Sequence, residues 1–186
     1  MTASLYGTSL SLLTDLYQLT MAQGYWRSGR HGHEAVFNLY FRKNPFGGGY
    51  ALAAGLADVA AFIEGFAVDE SDVEYLKSLG MFETGFLAYL KALKLTVDVD
   101  AVPEGTAVFA PEPLLRVQGP LLQCQLLETA LLNLMNFQTL IATKAARVVT
   151  AAGGDPVLEF GLRRAQGIDG GVSASRASFI GGCAAT

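Results

Sequence analysis

Apolar residues recur along the chain with two different periods, and the switches between them divide it into elements. Leu12, Leu16 and Leu19 fall on one helical face and Tyr17, Met21 and Tyr25 on another at i, i+4 spacing. This predicts a helix capped at Thr14 and running to about Trp26. Residues 35–42, AVFNLYFR, are rich in β-branched and aromatic types and predict a strand. The run Asn44-Pro45-Phe46-Gly47-Gly48-Gly49 predicts a loop. Tyr50 to Phe66 is Ala-rich and predicts a helix. Ser71 and Glu74 have capping-box spacing for a short helix, and a further helix is expected over 83–94. Leu95 to Ala101 alternates apolar and polar, the period of a half-buried strand. Beyond the Pro103-Glu104-Gly105 turn, Thr106–Ala110 and Leu114–Gln118 predict two more strands, giving a small, largely antiparallel sheet. A long helix then runs from Pro120 to about Ala152, with proline at its start and Gly153-Gly154 at its end. Val157 to Phe160 predicts a short buried strand, and Ser173 or Ser175 the start of a last helix reaching Gly181-Gly182.

The order of elements predicts an α/β chain: an N-terminal α/β domain with a small mixed sheet (1–119), a long connecting helix (120–156), and the first βα unit of an incomplete α/β barrel (157–186). In such folds ligands bind at the C-terminal ends of the strands, which places Phe160 to Arg164 where a ligand is expected. One βα unit cannot by itself make a sheet.

Composition narrows the class. Apolar residues make up 51% of the 186 and charged residues 16%, which excludes a disordered chain. Two cysteines are too few for a disulfide scaffold and favour a reducing compartment. No basic cluster followed by an apolar core marks a signal peptide. The apolar stretch Leu121 to Ala142 is interrupted by Gln123, Gln125, Glu128, Asn133, Asn136 and Gln138, which suits a buried helix and not a membrane span. The mean hydropathy of +0.33 is high, as if some apolar surface expects a cover from outside the chain. The net charge of −4 is uneven: residues 58–104 hold ten acids against three bases, and the remainder carries +3. No dense basic stripe is present, which argues against nucleic acid, whereas a few Arg and Lys suit a small polyanion.

Three segments could carry chemistry. Glu159-Phe160-Gly161-Leu162-Arg163-Arg164 brings an aromatic face and two guanidiniums to one strand end, a combination that suits a flat anionic ligand; a core phenylalanine followed by surface arginines is the plain alternative. Arg42 and Lys43 precede the glycine loop and could meet phosphate, although the G-x-x-x-x-G-K-[ST] order of a P-loop is lacking. Gly167-Ile168-Asp169-Gly170-Gly171 could offer backbone N–H groups to an anion or be only a turn. Lys144 and Arg147 sit near the end of the long helix, where they favour its dipole. His31 and His33 read as exposed loop residues, and Cys124 and Cys183 match no metal spacing.

The strings LLTDLYQLTMAQGYW (12–26), FNLYFRKNPFGGGYALAAGL (37–56), QGPLLQCQLLETALLNLMNFQTLIATKAARVV (118–149) and LEFGLRRAQGIDGGVSASRASFIGGCAAT (158–186) closely resemble the nicotinate phosphoribosyltransferase family, along essentially the whole chain. The resemblance implies a cytoplasmic NAD-salvage enzyme that joins nicotinate to 5-phosphoribosyl 1-pyrophosphate with coupled ATP hydrolysis and Mg²⁺, built as a homodimer with shared active sites. It implies that Phe160 stacks on the pyridine ring and that Tyr17 of the partner subunit covers the other face. Leu162 would line the pocket, Arg163 would face nicotinate or the phosphoribosyl group, and Arg42, Lys43 and Arg164 would meet phosphates. The family's phosphorylated histidine matches neither His31 nor His33 and is expected beyond Thr186. The chain is therefore expected to be an N-terminal portion, inactive by itself. A nicotinamide-specific relative and a non-catalytic subunit that pairs with the full-length enzyme are the alternative expectations.

Overall fold

The computed structural model describes residues 9–185. A first helix, α1 (Leu16–Arg27), leads to strand β1 (Glu34–Tyr40), a 3₁₀ turn (Pro45–Gly47) and strand β2 (Ala51–Leu52). Helices α2 (Leu56–Glu64), α3 (Glu70–Ser78) and α4 (Thr84–Ala92) follow. Strands β3 (Asp98–Ala101), β4 (Ala107–Val108) and β5 (Pro113–Pro120) then lead into helix α5 (Leu121–Ala151). A 3₁₀ turn (Leu162–Arg164) and helix α6 (Gly167–Ile180) complete the described chain. One sheet has the order β1-β5-β3; β2 and β4 form a second, antiparallel pair, with Ala51 opposite Val108 and Leu52 opposite Ala107. The expected mixed α/β class is what forms.

Two compact units interleave along the sequence. Among the described residues, the first comprises 9–37, 60–100 and 116–131; the second comprises 38–59, 101–115 and 132–185. The first unit is organised by a core of Leu19, Ala22, Leu76, Phe86, Leu90 and Leu122, all buried. Removing such side chains from water is the main favourable term in folding. The second unit is built on smaller side chains: Ala54, Ala142 and Ala177 are fully buried, with Leu52, Ile141 and Ile180 packed on them. Small residues let backbone come close to α5, and close approach recurs throughout this unit.

Several local expectations are corrected. Asp15, not Thr14, occupies the N-cap of α1, and Thr14 Oγ1 is buried without a hydrogen-bond partner. The box capping α3 is Asp69 with Asp72, not Ser71 with Glu74. Asp72 N donates to Asp69 Oδ1 at 2.9 Å, and Asp69 N donates to Asp72 Oδ2 at 3.1 Å. The Asp72 backbone N–H is the largest of the influences that hold the Asp69 carboxyl below the usual carboxylate range.

The Ala-rich segment 50–66 is not one helix. Its first residues form β2, and α2 begins only at Leu56. The reason lies far off in sequence. Leu52 N donates to Thr143 Oγ1 at 2.8 Å, and Thr139 Oγ1 donates to Ala54 O at 3.0 Å. Threonines of α5 thus satisfy backbone that an intrahelical ladder would otherwise occupy, and tertiary pairing overrides alanine's helix propensity. Strand β3 also starts late, at Asp98. Ahead of it Thr96 N donates to Gln123 Oε1 at 2.7 Å, a side chain standing where a ladder partner would be.

Helix α5 forms as expected, one residue after Pro120, which closes β5. Gly153 and Gly154, at φ 63° and 108°, end it in conformations that glycine adopts without strain. Its glutamines are buried, and Gln123, Gln125 and Gln138 each find side-chain or backbone partners, as buried amides must. No helix of the described residues is long and apolar enough to cross a membrane.

Candidate functional site

The segment after α5 belongs to the second unit. Val157 to Phe160 does not form the expected strand. Leu158 makes a single parallel bridge with Ala185, supported by Glu159 N donating to Ala185 O at 2.9 Å and Ala184 N donating to Val157 O at 2.8 Å. The chain thus leaves this bridge, crosses through α6 and returns beside its own start, a minimal parallel β-α-β arrangement. Helix α6 begins at Gly167, well before Ser173. The Gly167–Gly171 segment is therefore the first turn of this helix rather than a loop ahead of it. A Cβ on the buried Gly171 would lie 2.6 Å from Leu162 Cδ1, the tip of an exposed side chain that can move aside.

Between bridge and helix lies the turn Phe160–Arg164. Phe160 is 68% exposed and Leu162 62%, so neither side chain joins a core among the described residues. Arg163 and Arg164 are exposed on the same 3₁₀ turn, which closes through Arg164 N donating to Gly161 O at 2.8 Å. Neither joins a salt bridge among the described residues. Glu159, whose role is not legible from sequence, fixes the turn. One carboxylate oxygen accepts the Gly161 N–H, and the other accepts Ser175 Oγ at 3.3 Å. An aromatic face and two guanidiniums outside any salt bridge of the described residues, on one hydrogen-bonded turn, can take a planar anion or a phosphate. A cleft of about 410 Å³ in the same unit is lined by Ser175, Arg176, Phe179, Ile180, Ala184 and Ala185, and not by these turn residues.

Arg42 and Lys43 are exposed just beyond β1, also in the second unit. Asn44 closes the loop that follows them: its Nδ2 donates to Gly49 O, and its Oδ1 accepts from Ala110 N, each at 2.9 Å.

Tyr17 lies in the first unit, on the first turn of α1, and is 52% exposed. Its hydroxyl accepts from Gln18 Nε2 at 3.0 Å. Gln18 is completely buried, also donates to Glu128 Oε2 at 2.9 Å, and accepts from Gln125. Desolvation first, then the charges of Glu128 and Asp15, push the phenol pKa up, so the ring stays neutral at physiological pH. The amide network behind Tyr17 has no local signature in the sequence, because its partners Gln125 and Glu128 lie about 110 residues away.

A further cluster was also missed. Arg176 on α6 pairs with Glu104, Nη2 to Oε2 at 2.5 Å and Nη1 to Oε1 at 2.8 Å, and donates to Gln138 Oε1 at 3.1 Å. Gln138 Nε2 donates in turn to Asp58 Oδ2 at 2.6 Å, and Glu104 Oε1 accepts the Gly55 N–H at 2.6 Å. The Arg176 side chain, chiefly by hydrogen bonding, holds the Glu104 carboxyl below its usual range. This chain of contacts joins α2, α5, α6 and the turn before β4.

His33 is exposed as expected. His31 is half-buried, with its ring edge-on to Tyr89 at 5.2 Å between centroids and its Nδ1 without a partner. Cys124 and Cys183 are both free and buried, and burial raises both thiol pKa values. Among the described residues no group of three or more His, Cys, Asp or Glu side chains could hold a metal ion.

Comparison with known proteins places this architecture among enzymes of pyridine-nucleotide metabolism. A nicotinate-nucleotide pyrophosphorylase from Pyrococcus furiosus superposes with a TM-score of 0.73 at 26% identity, over 95% of this chain and 37% of that one. The crystal structure of human nicotinic acid phosphoribosyltransferase superposes with a TM-score of 0.86 at 51% identity, over 92% and 35%. The family model of the nicotinate phosphoribosyltransferase (NAPRTase) N-terminal domain matches residues 12–136. A nicotinate phosphoribosyltransferase of Mycobacterium tuberculosis is 48% identical over 176 residues, 95% of this chain and 38% of its own, and the human protein is 52% identical over 175 residues, 92% and 32%. The chain belongs to the nicotinate phosphoribosyltransferase family. It spans about a third of the length of these relatives.

Proposed function

We propose that the chain supplies the N-terminal part of an enzyme that joins nicotinate to 5-phosphoribosyl 1-pyrophosphate, releasing nicotinate mononucleotide and pyrophosphate in NAD salvage. The observation that carries this is the exposed Phe160 ring sharing a hydrogen-bonded turn with Arg163 and Arg164. Phe160 stacks on the pyridine ring, Leu162 lines its edge, and Arg163 pairs with the carboxylate or with the sugar phosphate. Arg42, Lys43 and Arg164 neutralise phosphate oxygens. The ring nitrogen attacks the anomeric carbon as pyrophosphate departs through an oxocarbenium-like transition state, and holding both reactants in line supplies much of the rate. A homodimer would bring Tyr17 of the partner subunit over the second face of the ring. The enzyme would work in the cytoplasm.

Mg²⁺ and ATP belong to the proposal without residues of their own here. The described side chains form no metal cage. Mg²⁺ would ride on pyrophosphate oxygens, and no step above passes through it. ATP is the co-substrate that the family resemblance implies.

Arg163→Ala tests the turn. The substitution belongs in a hybrid enzyme, with this chain in place of the matching region of the Mycobacterium tuberculosis relative. Losing a charge-assisted hydrogen bond of about 1.5–3 kcal/mol lowers kcat/KM for nicotinate by roughly 10–150-fold. Arg163→Lys restores only part of this, because an ammonium lacks the planar fork. Activity within about twofold of the parent, too little for one lost hydrogen bond, would remove Arg163 from the site.

A further inference from the structure

Among the described residues Phe46 is the non-glycine residue with left-handed backbone, at φ 59° and ψ 23°. A bulky side chain rarely sits there, and the conformation persists only where its surroundings impose it. Two cations of α5 impose it. Arg147 Nη1 donates to Phe46 O at 3.0 Å, and Lys144 Nζ lies 4.3 Å from the centroid of the Phe46 ring. Gly48 makes room: a Cβ on it would come within 3.0 Å of Arg147 Nη1. Neither cation lies in the last turn of α5, so the helix dipole expected to hold them there has little effect on them. The strained residue follows Arg42-Lys43 by three positions, and Asn44 pins the far side of the same loop to Gly49 and Ala110.

We propose that Lys144 and Arg147 are positioning residues: they clamp Phe46 in its left-handed conformation and so preset the Arg42-Lys43 turn to receive the phosphate oxygens of the phosphoribosyl substrate. This rests on the phosphate role proposed above for Arg42 and Lys43. Without the clamp, Phe46 relaxes toward ordinary φ values, the competent loop becomes a minor population, and apparent affinity falls by that fraction.

The test uses the hybrid enzyme described above, with backbone amide exchange over residues 43–49 and calorimetric binding of inorganic pyrophosphate. The double substitution Lys144→Met with Arg147→Met keeps apolar stems on α5 and removes one cation–π contact and one hydrogen bond. It is expected to speed exchange in the loop and weaken pyrophosphate binding, each about tenfold. Adding Phe46→Gly, which tolerates the left-handed conformation unaided, is expected to restore most of the affinity. Equal loss of affinity with and without Phe46→Gly would make the two cations direct ligands and overturn the positioning role. Unchanged exchange and affinity in the double variant would overturn the clamp itself. Arg42→Ala separates the underlying reading: if it leaves pyrophosphate affinity unchanged, or if the parent hybrid binds none, the phosphate role of the turn fails, and the purpose of the clamp fails with it.

Discussion

Gly55→Ala is expected to destabilise the protein by about 3 kcal/mol or more, lowering the melting temperature by roughly 6–12 °C for a chain of this size. Two independent causes add. Gly55 sits at φ 107°, where any side chain is strained, and a Cβ there would lie 2.6 Å from Leu134 O and 3.1 Å from Met135 Cα, both backbone atoms of α5. A rotamer change cannot relieve contacts with backbone, so helix and segment must separate. Separation would also strain the hydrogen bond from Gly55 N to Glu104 and the Thr139 and Thr143 contacts that hold residues 52–54. Gly49→Ala is the matched control: nothing lies within 4 Å of its Cβ position and its φ is ordinary. Thermal unfolding followed by circular dichroism separates the two, and a Gly55→Ala melting temperature within about 1 °C of the parent would refute the close packing described for this unit.

Arg176→Ala is the second large effect. It leaves the Glu104 carboxylate, 20% accessible, facing the Gly55 N–H without its counter-charge, and leaves Gln138 Oε1 without its donor. Breaking a fully buried pair costs about 3–5 kcal/mol; with Arg176 still 28% accessible, solvent screening reduces the expected loss to about 2 kcal/mol. The effect carries a pH signature. The Glu104 pKa is lowered from 4.5 in the folded protein, chiefly by the Arg176 hydrogen bond. A carboxyl whose folded pKa is depressed stabilises fully above the unfolded value, and that stabilisation is lost as pH falls below about 4.5 toward the folded pKa. The stability gap between parent and Arg176→Ala should therefore be constant from pH 7 to about 5.5 and shrink below 4.5. Urea denaturation at a series of pH values measures it, and a gap that does not change between pH 6 and pH 3.5 would show that the Glu104–Arg176 contact does not shift this titration.

What was legible in the sequence follows from where the determining contacts lie. Helices α1, α4 and α5 and strands β1, β3 and β5 carry their pattern locally, so periodicity found them. The grouping of the Phe160 ring with the Arg163 and Arg164 guanidiniums was legible too, because they are neighbours in sequence, although at an expected strand end rather than on a turn. The Ala51–Ala54 segment was not, since what makes it extended is Thr139 and Thr143, some 90 residues away. The strand expected at Val157–Phe160 failed for a similar reason: its apolar residues are real, but it finds one bridge partner, Ala185, and Leu158 remains 54% exposed. Ser173 and Ser175 resemble helix caps, yet the helix starts at Gly167, and Ser175 instead supports Glu159. Exposed Phe160, Leu162, Ile168 and Phe179 of the second unit account for part of the high mean hydropathy. The polar networks around Gln18 and Arg176 left no local trace, because a charge or amide on a helix looks the same whether it meets water or a buried partner.

We propose that the Phe160–Arg164 turn of this chain binds nicotinate once the rest of the enzyme is supplied. The most direct test is product formation by the unsubstituted hybrid enzyme, supplied with 5-phosphoribosyl 1-pyrophosphate, Mg²⁺, ATP and either nicotinate or nicotinamide. Nicotinate mononucleotide is the expected product, with nicotinate strongly preferred over nicotinamide. A hybrid that unfolds cooperatively, as a folded protein does, and yet makes no mononucleotide from nicotinate, or prefers nicotinamide, would contradict the proposal.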